Sequence, residues 1–80
     1  MNIEISNWRI QAWAKISSAV LPPKIKKKIS KNILNTELEL RNYYQLSKED
    51  LKQVFITKVV AGIPVGKYRD KAINTLNTIR

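Results

Sequence analysis

The chain has 80 residues, 15 Lys+Arg against 6 Asp+Glu, and neither cysteine nor histidine. This length makes a single domain, residues 1–80, and an apolar fraction of 44% is enough for one core, which argues against wholesale disorder. The missing residue types exclude disulfides, thiol chemistry, the usual zinc sites and any Cys–His or Ser–His nucleophile pair, while a net charge of +9 favours polyanionic partners.

The charge is uneven. Residues 5–36 carry Arg9, Lys15, Lys24, Lys26, Lys27, Lys28 and Lys31 with no acid, residues 37–50 carry four of the six acids, and beyond them only Asp70 opposes the bases. No apolar run approaches the ~18 residues of a membrane span. Glu4, Arg9 and Lys15 interrupt any signal-like block near the start, so a soluble cytoplasmic protein is expected.

The first predicted helix covers residues 6–21, opened by Ser6 and ended by Pro22, which disfavours helical geometry in the residue before it. At about 100° per residue Trp8, Ala12, Trp13, Ile16, Ala19 and Val20 share one broad apolar arc, widened by Ile10, Ala14 and Leu21. Two tryptophans on one helix are read as core anchors, with an interfacial membrane helix as the sharper alternative.

Pro22-Pro23 makes a stiff corner with Pro23 placed as a first helical residue. Residues 24–45 then form one long helix, or two if Thr36 and Glu39 cap a new one after a break at Asn35. Continuity is favoured because Ile25, Ile29, Ile33, Leu40, Tyr43 and Tyr44 fall on one stripe, with Lys27, Lys28 and Lys31 opposite. Leu34 and Leu38 fall outside that stripe. They pack under the first helix or mark a partner contact.

Residues 46–64 carry the strongest helix signals. Ser47 and Asp50 make a capping-box-like start, Leu46 and Leu51 a hydrophobic staple, and Glu49 and Asp50 put negative charge where the helix dipole favours it. Gly62 can close the helix in the left-handed conformation and Pro64 stops it. A strand over residues 53–60 competes, because β-branched residues crowd there, but the capping signals decide for helix. Its apolar residues point to nearly every side, so it is expected to be central, with Phe55 and Val59 fully buried beside Trp13 and Ile29. The last helix runs from Val65 to the C-terminus, with Val65, Tyr68, Ala72, Leu76 and Ile79 inward. The fold class is therefore all-α, a small bundle of about four helices with short corners.

Catalysis finds little support. Glu37 and Glu39 are two apart on a helix and face different ways, the capping role accounts for Glu49 and Asp50, and no glycine-rich phosphate loop exists. A non-enzyme is expected, without cofactor or metal. Two surfaces could bind polyanions. One is the Lys24, Lys27, Lys28, Lys31 cluster with Arg9 and Lys15, acting as point charges on phosphates. The other is the row Lys67, Lys71, Asn74 and Thr78 with Arg69 and Arg80 beside it, where amides and hydroxyls join the cations as in groove contact.

The corner ITKVVAGIPVGKYRDKA, residues 56–72, resembles the first helix and turn of some helix-turn-helix units of recombinases and repressors, which carry an Ala-Gly-aliphatic-Pro step before a basic helix. Ala72-Ile73 stands where those units have a glycine turn. The resemblance implies a helix-turn-helix-like unit and duplex DNA as the ligand. Three partner classes follow: nucleic acid, duplex DNA first; an acidic protein docked through Leu34, Leu38 and the lysine face; and, third, a membrane surface met by the first helix.

Overall fold

The computed structural model describes residues 3–41, 43 and 45–80. Four helices follow one another: α1 (Ile3–Ser18), α2 (Pro23–Leu40), α3 (Lys48–Val59) and α4 (Lys67–Leu76). No strand occurs among the described residues, so the β-branched run of α3 is helical. Intrinsic strand preference is a weak prior, and a capped helix that buries those side chains overrides it.

In α1 the helix begins at Ile3 rather than Ser6 and stops at Ser18, three residues before Leu21. Ser6 does not cap: its hydroxyl reaches across to Glu37 of α2 at 3.4 Å. The early stop has a partner in Lys26, whose ammonium donates to the Ser17 carbonyl at 2.9 Å, taking up an orphan acceptor at the negative end of the dipole. The buried stripe is Ile5, Trp8, Ala12 and Ile16, while Ile10, Trp13 and Val20 face out. Trp13 is thus not the neighbour of Phe55. That place belongs to Trp8, with ring centroids 5.9 Å apart and the planes tilted by 53°. Five residues further on, an α-helix has turned about 140° past its starting direction, so the two tryptophans cannot both face the same core.

α2 is one helix with Pro23 in its first turn, and Ile29, Ile33, Thr36 and Leu40 are its buried residues. Thr36 lies inside it rather than capping a second helix, so the break at Asn35 does not form. The helix ends at Leu40, short of Gln45; Tyr43 packs half-buried against the core beyond it, and Tyr44 lies outside the described residues.

At the start of α3 the Asp50 N–H donates to the Ser47 hydroxyl at 3.1 Å. Leu46 stays exposed, so the expected staple does not bury it. Gly62 closes the far end at φ 81°. Phe55 and Val59 are fully buried with Leu51, Ile56 and Val60, while Gln53 and Thr57 face solvent. The helix therefore buries one broad side, not its whole circumference.

α4 starts at Lys67, leaving Val65 exposed ahead of it, and runs without a turn through Ala72 and Ile73. No turn into a recognition helix forms at that point. α4 leans on α1, and its end is locked there: the Gln11 amide donates to the Arg80 carbonyl at 2.7 Å and accepts from the Arg80 N–H at 3.0 Å. α1 packs on α2 and α2 on α3, and the buried side chains of all four helices form one cluster.

Candidate docking surface

α2 positions the site, because its two flanks are used differently from its outer face. Glu37 and Glu39, two residues apart, point to opposite neighbours. Glu37 Oε2 lies 2.6 Å from Arg9 Nε of α1, an ion pair off the straight hydrogen-bond line, and Glu39 accepts from Lys58 of α3 at 2.7 Å. Asn32 donates to the Val59 and Ala61 carbonyls at 2.9 and 2.8 Å, covering the end of α3. The Glu39 hydrogen bond is the main cause that raises the Lys58 pKa above the ordinary lysine value; burial opposes it, and the charges of Glu39 and Tyr43 add to it.

The same geometry divides the lysine run. Lys26 caps α1, and Lys28 lies over the left-handed turn of α3, where a Cβ built on Gly62 would meet Lys28 Cε at 3.0 Å. Lys24, Lys27 and Lys31 remain on the outer face, exposed and without an ion-pair partner among the described residues. At 100° per residue they fall with Leu34 and Leu38 inside an arc of about 80°, opposite the buried stripe. Leu34 and Leu38 are 56% and 55% exposed. Beside them, between α1 and α2, lies a groove of about 270 Å³ lined by Arg9, Trp13, Ser30, Lys31, Ile33 and Leu34. Trp13 is 54% exposed at its edge, against 1% for Trp8. The outer face is thus an apolar patch fringed by free cations.

The remaining expected residues are scattered. Arg9 is held by Glu37 at the groove wall. Lys15 is about 120° around α1 from Arg9 and one turn beyond Gln11, which places it on the α4 side, apart from the lysines of α2. On α4, Lys67, Lys71 and Asn74 are exposed in one row, with Asp70 also exposed between them and the Lys67 ammonium 5.2 Å from the Tyr68 ring centroid. Arg69 is half-buried, with its Nε enclosed and without a hydrogen bond. Thr78 lies past the helix end, where its hydroxyl donates to the Thr75 carbonyl at 2.7 Å. α2 and α4 meet α1 through Arg9 and Gln11, roughly 160° apart on that helix.

Sequence inspection missed Trp13 and the groove. The one signal was that Trp8 and Trp13 cannot share a narrow stripe. Among the described residues no three acidic side chains converge on a point that could hold a metal. None of their helices is long and apolar enough to cross a membrane. No protein-family model, curated protein or solved structure matches the chain.

Proposed function

We propose that the protein is a non-enzymatic docking module whose outer α2 face binds an acidic protein partner. The observation that carries this is the exposure of Trp13, Leu34 and Leu38 amid the unpaired Lys24, Lys27 and Lys31. Phosphate contact would use the cations and leave the apolar patch wet. A protein with acidic and apolar side chains covers both, each Å² of apolar surface removed from water contributing about 25 cal/mol. The lysines speed and steer the encounter, and the apolar patch supplies contact that salt does not screen.

A binding comparison among polyglutamate, a glutamate–tyrosine copolymer and a DNA duplex of matched charge tests this. The copolymer should bind tightest and keep part of its affinity as salt rises, and Leu34→Ser with Leu38→Ser should remove that residue of binding. Tightest binding to the duplex, indifferent to both leucines, would overturn it. Nucleic acid is the second reading, favoured by the exposed Lys67, Lys71, Asn74 row. There the log–log salt slope should fall by about 0.9 for each phosphate contact removed, with Lys67→Gln and Lys71→Gln. A peripheral membrane role would use Ile10, Trp13 and Val20 as outward anchors, since Trp8 is in the core. Sedimentation with anionic vesicles reads it directly.

A further inference from the structure

We infer that the groove between α1 and α2 seats one acidic amphipathic helix of a partner protein, which plants a bulky apolar side chain between Trp13 and Leu34. This rests on the docking function above and narrows the partner from acidic to helical.

Size points to a side chain rather than a cofactor. The groove, at about 270 Å³, falls just below the 300–1,000 Å³ typical of small-molecule sites. Its polar groups are few: Ser30, Lys31, and an Arg9 already engaged by Glu37.

Shape points to a helix. Arg9 and Trp13 on one wall, and Ser30 and Leu34 on the other, are each an i, i+4 pair, and Leu38 continues the second row beyond the groove. Rows of that spacing are the ridges that interdigitate with another helix. An extended peptide would need a sheet edge to complete its backbone hydrogen bonds, and no strand occurs among the described residues. A helix satisfies its own backbone and offers only side chains.

Charge fixes what surrounds the anchor. Lys24, Lys27 and Lys31 carry the exposed face on toward the start of α2 over seven residues, a rise of about 10.5 Å. Carboxylates at i, i+3 or i+4, and i+7 of a facing helix repeat that spacing. A second copy of this chain is a poor occupant, because each copy brings a net charge of +9.

The test uses the full chain and a synthetic peptide of about 18 residues, five helical turns, with glutamates on one side and leucines and one phenylalanine at i, i+3, i+4, i+7 spacing. Controls are the same peptide with two central prolines, and the same peptide with its anchors changed to alanine. The helical peptide should bind at least about tenfold tighter than either control, and Leu34→Ser with Leu38→Ser should remove most of that advantage. Both leucines are exposed, so the variant should keep its far-UV spectrum. The emission of Trp13 should shift on binding, and Trp13→Phe should abolish the shift, because Trp8 stays in the core. Equal binding of the helical and proline-broken peptides would overturn the helical seat and leave acidic docking standing. Duplex binding with no peptide binding would overturn both. Self-association lost in the double-leucine variant would overturn the partner helix and make the groove a self-interface.

Discussion

α1 carries two tryptophans that meet opposite fates. On the inner seam Trp8 is closed in against Phe55; on the outer seam Trp13 stands half-exposed at the rim of a groove, with none of the described residues laid over it. The inner seam spends an indole on stability. The outer one leaves an indole, two leucines and three unpaired lysines facing water, an arrangement that adds little to folding. What separates them is whether a second apolar element arrives to cover the face: α3 covers the first, and none of the described helices covers the second.

Perturbing the two seams should therefore separate stability from binding. The largest effect is expected inside. Phe55→Ala removes the ring that Trp8 packs on and should destabilise by about 3–5 kcal/mol, enough to unfold a small domain in a thermal or urea melt. Next comes Asn32→Ala, which leaves the Val59 and Ala61 carbonyls without their α2 donor and should cost about 1–3 kcal/mol. Ser47→Ala removes the α3 cap and should cost about 0.5–2 kcal/mol while leaving binding unchanged. On the outer seam, Leu34→Ser and Leu38→Ser should each move stability by no more than about 0.5 kcal/mol, yet weaken the acidic peptide's binding. If the leucine variants melt early, the outer seam is part of the core and the contrast is broken.

The smallest effect concerns pH. A folded-state pKa raised above the unfolded value means that Lys58 contributes stability that is fully present below the ordinary lysine pKa and lost as pH rises through the raised one. Melting temperature should accordingly drop in strongly alkaline buffer by slightly more for the parent chain than for Glu39→Gln. The pair is partly exposed, so added salt should shrink the difference.

Local signals were readable from the residues alone. The Ser47 cap, the left-handed Gly62, Pro23 in the first turn of α2, and burial of Phe55 and Val59 each depend on neighbours a few positions away or on plain apolarity. What escaped depends on where the other helices lie. An arc broad enough to hold both Trp8 and Trp13 does not say which side meets α3. A run of lysines does not say that Lys26 will end α1 and Lys28 will lie over Gly62, leaving Lys24, Lys27 and Lys31 as the open set. Val65 and Ile10 are apolar and sit outside for the same reason, since a small domain has more apolar positions than inward directions. Leu34 and Leu38 were legible as misfits to the buried stripe, and exposure is where they stand.

The two-bond clasp between Gln11 and Arg80 bears on the order of events in folding. It joins positions 69 apart in sequence, so the chain must close a loop of that length before the clasp forms. The contacts of α1 with α2 and of α2 with α3 join consecutive helices and carry no such delay. The first three helices can therefore assemble as one cooperative unit, with α4 arriving last and detaching first. Amide hydrogens of α4 should exchange through partial openings while those of Phe55 and Val59 wait for global unfolding.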